Sequence, residues 1–405
     1  MEEDKALVDY LHKIRAGRLP AFESVSEELQ SIPSLIETTS AEEEYLEEHP
    51  AIIPDDSIEP VCFSAFLDGV QRTQICDRVT VPAIGARVPI HVAHIAAGVM
   101  IRKNKNLYFD PDLYEERKLL VMPYEGIKSV LPEPSFKRED DKAECLKHHK
   151  VFWCDTTHPG AGTPLPHPGE SSFEGEKLFD TLRIRTRAQT RVSIWRQRLE
   201  LLVLKRFIEK YPDKWILVDG PLYYDFRWAR LLEVDLNKAK NVVGYIESIR
   251  ERPKDLNIIL QLNENQRSRV RSWSKVKIPK NGRSDEEGEI SFPRRHLKWY
   301  IRERIPPRDW TPPDFLGLVA IDVDINTLGL SSSDDPLLKI GNFERFRPMI
   351  DSITLGIWRE RYPAPSFPRN FSYYTRLYPV EKLEQILHSR LLPPRMLATL
   401  GIWGE

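Results

Sequence analysis

Two aspartates in this chain follow apolar stretches and precede a glycine. In Val61–Leu67 only Ser64 is clearly polar, and the run ends on Asp68-Gly69. Trp215-Ile-Leu-Val leads into Asp219-Gly220-Pro221 in the same way. Each run reads as a buried strand that delivers an acid at its end, where ionising a carboxyl without a partner is costly. Asp-Gly is also a strong hairpin signal, so a plain turn is open at both positions. The third acid is Glu200. Val203, Leu204, Phe207 and Ile208 lie three, four, seven and eight residues after it, and on a helix these positions share one face. A carboxylate that opens a core-facing stripe needs a cation or donors, met either by a buried arginine pair or by a metal. If Asp68 and Asp219 end neighbouring strands and Glu200 lies on the helix leading into the second, three hard oxygen ligands converge at one rim. Such a set suits Mn²⁺ or Mg²⁺. Two such ions can activate water and stabilise the leaving oxygen in phosphodiester cleavage.

Arginines crowd the same region: Arg183, Arg185, Arg187, Arg191, Arg196 and Arg198. Guanidinium groups suit phosphate. Arg72, Arg187, Arg191 and Arg196 are therefore candidates for holding a DNA backbone, against the blander reading of a solvated helix face. Trp195, Trp215 and Trp228 read as core. Cys145, His148, Cys154 and His158 have zinc-ligand types at irregular spacing in a loop-like segment. His91 and His94, three apart on a strand, face opposite sides. Asp322 and Asp324 end an apolar strand as Asp-x-Asp, the pattern with which dehalogenase-type phosphatases begin, the first acid acting as nucleophile. Only 79 residues follow Asn326, too few for that core. The sequence contains no phosphate-gripping G-x-x-x-x-G-K-[ST] loop and no G-x-S-x-G elbow.

The elements that must position these residues read as follows. Residues 1–55 form an acidic, mainly helical arm, with Ser40–Glu48 a charged helix. Three apolar runs between Pro60 and Arg102 predict an antiparallel meander. Residues 130–180, rich in Pro, Gly and charge, read as a loop-rich insertion. The clearest helix spans 186–211, stopped by Pro212. Strands are expected at 215–219, 241–249, 297–305 and 315–325, a loop at 279–289, and helices near 346–358 and 380–392. Strands, then a helix, then a strand, give an α/β arrangement with a mixed sheet and flanking helices. Residues 56–405 form one domain behind the arm.

With 59 basic and 61 acidic residues, a formal charge of −2 excludes a histone-like coat, though not a local basic groove. The 32 prolines predict long irregular connections. Four cysteines are too few for a disulfide scaffold, and no apolar run is long enough to span a membrane, so a reduced, cytoplasmic protein is expected.

The segments Phe66-Leu-Asp-Gly-Val-Gln-Arg72, Arg196-Gln-Arg-Leu-Glu200 and Ile216-Leu-Val-Asp-Gly-Pro-Leu222, in this order and spacing, resemble the NurA nuclease family. The likeness extends through Val242–Ile246 and spans roughly residues 60 to 365. It implies an RNase H-like core, a homodimer, Mn²⁺-dependent DNA cleavage and a HerA-type hexameric ATPase as partner in DNA end processing or antiphage defence. It also implies a catalytic tyrosine in a Tyr-Pro-x-Pro motif, matched by Tyr362-Pro-Ala-Pro365, with a histidine eight residues after the tyrosine. Position 370 is Asn, a departure that makes a catalytically weak scaffold of the same fold the alternative. Tyr378-Pro379 is a rival alignment.

Overall fold

The computed structural model describes residues 2–15, 39–40, 43–83, 85–140, 144–157, 178, 180–222, 232–234, 239–247, 255–279, 287–305, 316–330, 339, 341–363 and 374–400. The chain is α/β. Its strands are β1 (Thr39–Ser40), β2 (Glu43–Tyr45), β3 (Ala51–Ile52), β4 (Ala65–Val81), β5 (Ala86–Lys103), β6 (Asn106–Met122), β7 (Val151–Asp155), β8 (Ile216–Asp219), β9 (Val242–Ile246), β10 (Arg267–Ser268), β11 (Arg271–Pro279), β12 (Glu287–Arg302) and β13 (Leu318–Asp324). They form one mixed sheet whose main path runs β1-β11-β12-β13-β9-β8-β4-β5-β6-β7. The antiparallel β4–β5–β6 meander is joined on its other side by β8, parallel to β4, and by β9, parallel to β8.

The longer helices are α1 (Glu2–Arg15), α2 (Thr181–Lys210), α3 (Arg347–Arg359) and α4 (Tyr378–Arg390). Helix α2 starts where the Asp180 side chain accepts the Arg183 N–H, an N-cap that satisfies an otherwise orphaned donor. Its Val192, Leu199 and Val203 pack with Leu67, Ile95 and Val218 on one face of the sheet. On the other face Phe66, Leu217 and Tyr245 pack with Ile350 and Ile353 of α3. Val70 and Ala96 meet Leu383 and Leu387 of α4. Sheet alternation therefore assigns the first residues of β4 their sides: 65, 67 and 69 toward α2, 66, 68 and 70 toward α3 and α4.

Several expectations change. The first two apolar runs are a single strand, so Asp68-Gly69 is neither a turn nor a strand end: Asp68 pairs with Gly98 and Gly69 with Ala97 in mid-ladder. Strand β6 lies beyond the expected meander; its first half is largely exposed, which hides its alternation in the sequence. The segment Ser40–Glu48 is not helical in its described residues. Its charged residues have tertiary partners that favour an extended chain: β2 pairs with β11, and Glu47, 2% exposed, receives both terminal nitrogens of Arg267 at 2.6 and 2.8 Å. Part of the 130–180 segment is not loop, because β7 is a wholly buried strand parallel to β6. Residues 158–177 of that segment, and 280–286 of the expected 279–289 loop, lie outside the described residues.

Candidate functional site

The site forms where two strands part. Parallel pairing of β4 with β8 runs Ala65↔Ile216, Phe66↔Leu217 and Leu67↔Val218, and stops. Beyond it β4 continues with β5, while Gly220, at φ +109°, turns the other chain away. That left-handed value is open to glycine at little cost. Asp68 and Asp219 are the next residues on each strand, side by side at the mouth of the gap. Leu67 and Val218 face α2, so both aspartates face the α3–α4 side.

Glu200 reaches the gap from the other side. A Cβ at Gly69 would collide with Glu200 Oε1 and come within 2.8 Å of its Cδ and Cγ. Only glycine leaves this space, and it faces α2. Arg196, one helical turn before Glu200, donates from Nη1 to Glu200 Oε1 (2.6 Å) and to the Gly69 carbonyl (2.8 Å). Of the two readings of Glu200, the arginine pair is present.

The electrostatics record how closely these acids sit. Burial, with the Asp219 and Glu200 charges, holds the Asp68 carboxyl well above the usual range, opposed by Arg196. Burial pushes Glu200 up to about 7; Asp219 adds to this and Arg196 opposes it. Burial raises Asp219 to about 6, with Glu384 adding and Arg196 and Arg376 opposing. Three acids from distant segments thus disfavour one another's charge. As they stand, however, no three His, Cys, Asp or Glu side chains among the described residues are grouped closely enough to hold a metal ion. The alternation explains the spacing: Asp68 and Asp219 come from one face of the sheet and Glu200 from the other.

Two further acids enter from the aspartates' side. Tyr245 is the β9 partner of Asp219, and Glu247 follows two residues later, on the same side of the strand. Burial and the Asp219 charge push Glu247 well above the ordinary range. Glu384 of α4 contributes to the raised values of Asp68, Asp219 and Glu247. Arg376 donates to Glu384 at 3.0 Å and to Glu381. Sequence reading missed these residues. For Glu247 a signal existed, since it closes the apolar run Val242–Ile246 as the aspartates close theirs; Glu384 lies on a mixed helix face with no such mark.

The other candidates fall elsewhere. The Tyr362 N–H donates to the Arg376 carbonyl (3.4 Å), and its ring stands edge-on to Tyr378 at 5.5 Å. It adjoins the arginine that serves the acids rather than the acids themselves. Ala364, Pro365 and Asn370 lie outside the described residues, as do Trp228 and His158. Like Arg196, the other three arginines proposed for DNA have partners within the chain. Arg72 donates to the Leu391 and Leu392 carbonyls past the end of α4 (3.2 and 2.6 Å). Arg187 donates to the Thr156 carbonyl (3.2 Å). Arg191 is 5% exposed, 3.6 Å from Glu139. The turns of α2 that carry Arg187 and Arg191 lie against the segment before and after β7. Cys145 and Cys154 are buried, while His148 is exposed and pairs with Glu144. Asp322 Oδ2 accepts the Leu222 N–H (2.8 Å) and so fastens the chain after β8; Asp324 caps a 3₁₀ turn.

The chain matches no protein-family model and no curated protein. Among the described residues no helix is long and apolar enough to cross a membrane.

Proposed function

We propose that this chain is a divalent-metal-dependent DNA nuclease of the NurA type, with an RNase H-like core formed by β4–β5–β6, α2, β8 and β9. The observation that carries this reading is the meeting of Asp68, Glu200 and Asp219 at the parting of β4 and β8. The order of elements supports it as well: an antiparallel meander, a helix bearing the glutamate, and a strand parallel to the first bearing the second aspartate.

The donor chemistry fits Mn²⁺ or Mg²⁺. All the groups are carboxylates, hard oxygen donors of the kind these ions prefer. Their charges are opposed by few cations, so a divalent ion would relieve a repulsion already present. Asp68, Glu200 and Asp219 would hold it, and bound there it would lower the pKa of a water and stabilise charge at the phosphate. The chain's own part is to bring these carboxylates to one gap between strands, within reach of one another's charge, and to keep them largely dry. Gly69 leaves the space Glu200 needs, and Arg196 holds the Glu200 carboxyl against β4.

A homodimer, a HerA-type ATPase partner, a cytoplasmic setting and a role in DNA end processing or antiphage defence belong to the same proposal and rest on the resemblance alone. One observation favours the second reading, a DNA- or ATPase-binding scaffold with weak catalysis: the acids are not closed into a finished ligand set. Cleavage of end-labelled linear DNA with Mn²⁺, with and without the ATPase, separates the two. Loss of cleavage in both Asp68→Ala and Asp219→Ala supports the nuclease. Intact DNA binding without cleavage in the wild-type chain supports the scaffold.

A further inference from the structure

Arg185 lies eleven residues before Arg196 on α2. That is three helical turns, about 16 Å along the axis, and it puts both arginines on one flank of the helix. At Arg196 this flank meets Gly69 of β4. Strand β4 leads from there toward the start of α2, because His91, the ladder partner of Ile75, feels the Arg185 charge. Thr73, about 13 Å beyond Gly69 on the same side of the strand, therefore comes beneath the first turns of α2. That corner holds polar groups that the fold leaves unpartnered. His91 is 2% exposed, and its partner Val121 on β6 belongs to the core under α2, so the ring faces the helix. Neither ring nitrogen makes a hydrogen bond of ordinary geometry, although the Val121 backbone lies near. Arg185 Nε and Thr73 Oγ1 are likewise buried without a partner. Thr73 pairs with Ala93, which sets it diagonal to His91 on one side of the sheet, about 7–8 Å away.

The charges at this corner are of one sign. Those acting on the His91 ring come from Arg185 and Arg78, and with burial they hold it at about 3. The imidazole is therefore neutral at ordinary pH and offers one N–H. Buried polar groups without partners are completed by water or a ligand, and an excess of positive charge selects an anion. We propose that Arg185, Thr73 and His91 form a binding site for a phosphate group, seated between β4, β5 and the first turns of α2. The site stands apart from the acids at the parting of β4 and β8 and does not draw on the metal-dependent reading. The Arg185 guanidinium pairs with phosphate oxygens, and the Thr73 hydroxyl and the His91 N–H donate to those that remain. Gln71 Oε1, also buried without a partner, is an acceptor one position farther along this side of β4 and falls outside the set. Phosphate can reach the corner free in solution or as part of a nucleic acid strand, and the recognising chemistry is the same.

The test is calorimetric titration of the full chain, in chelator and at constant ionic strength. The ligands are inorganic phosphate and a short oligonucleotide with either a 5′-phosphate or a 5′-hydroxyl. The wild-type chain is expected to bind phosphate, and the His91 ring resonances to move as ligand is added, because a bound anion offsets the two arginines. Arg185→Gln is expected to weaken binding at least about tenfold, a change of about 1.4 kcal/mol. Thr73→Val removes the hydroxyl, keeps the shape, and is expected to weaken it about two- to tenfold. Melting curves establish that each variant is folded. An Arg185-dependent gain from the 5′-phosphate places a strand end in the site; Arg185-dependent binding of inorganic phosphate without that gain places free phosphate there. Absence of binding by the wild-type chain, or binding that both substitutions leave unchanged, would overturn the site and leave these groups to water alone.

Discussion

Replacing Glu200 with glutamine should stabilise the metal-free protein at alkaline pH. Burial and the neighbouring Asp219 place the Glu200 carboxyl at about 7, against 4.5 for a free glutamate side chain. Its folded value is raised, so between roughly pH 4.5 and 7 the folded chain holds a proton that the unfolded chain has released. Stability contributed by the neutral form is present below that window and is lost as the pH rises through it. At about 1.4 kcal/mol for each tenfold change in an equilibrium constant, the displacement corresponds to about 3 kcal/mol. Glutamine mimics the protonated form at every pH. Urea unfolding in chelator should therefore give equal stabilities near pH 4.5 and a Glu200→Gln advantage of about 3 kcal/mol at pH 8. The difference between the two proteins is the quantity to follow, because His91 acts with the opposite sign in part of the window. Burial holds His91 at about 3, so its contribution is lost as the pH falls below 6.5. Saturating Mn²⁺ should shrink or reverse the advantage, since glutamine is a poorer ligand for the ion. Equal stabilities at pH 8 in chelator, or a variant that is less stable there, would refute the account of Glu200 as a carboxyl strained by its surroundings.

Gly69→Ala should displace Glu200, whose flexible end occupies the space of the new methyl; we expect cleavage to fall at least about tenfold while the melting temperature moves by only a few degrees, read by nuclease assay and calorimetry. Arg267 is 0% exposed and bound to Glu47 and Asp351; Arg267→Ala strands two buried carboxylates and should cost about 3–5 kcal/mol in denaturant unfolding. Of the four thiols only Cys62 is exposed, and burial raises Cys145 to about 12 and Cys154 well above the ordinary thiol range. Native protein at pH 8 should thus release one equivalent from a disulfide reagent promptly, with the other three reacting only on unfolding.

The residues of the site were legible in sequence to an unequal degree. Glu200 could be found because a helical stripe of Val203, Leu204, Phe207 and Ile208 announces its face, and that stripe is buried in the structure. The strands ending near Asp219, Ile246 and Asp324 were visible as short apolar runs of the kind both buried faces require. Asp68 was found for a partly mistaken reason. Its apolar approach is real, but the chain runs straight on through it, because β5 supplies a partner along the whole of β4. What ends at Asp68 is the pairing with β8, and no local signal reports the loss of a partner that lies about 150 residues away in sequence. The Ser40–Glu48 segment failed for a related reason: its helix-favouring glutamates were outweighed by an edge of β11 and a buried arginine.

The sequence by itself determined the α/β alternation, the long helix with an acid on its buried face, and the two aspartates that finish apolar stretches. Periodicity and composition are local properties, and these features depend on little else. Tertiary structure alone decided that Asp68 and Asp219 face one side of the sheet and Glu200 the other, that Glu247 and Glu384 join them, and that Arg196 points at the acids while Arg72, Arg187 and Arg191 have partners within the fold. Each of these depends on strand register and on which face a distant helix covers, and a one-residue change of register would reverse them.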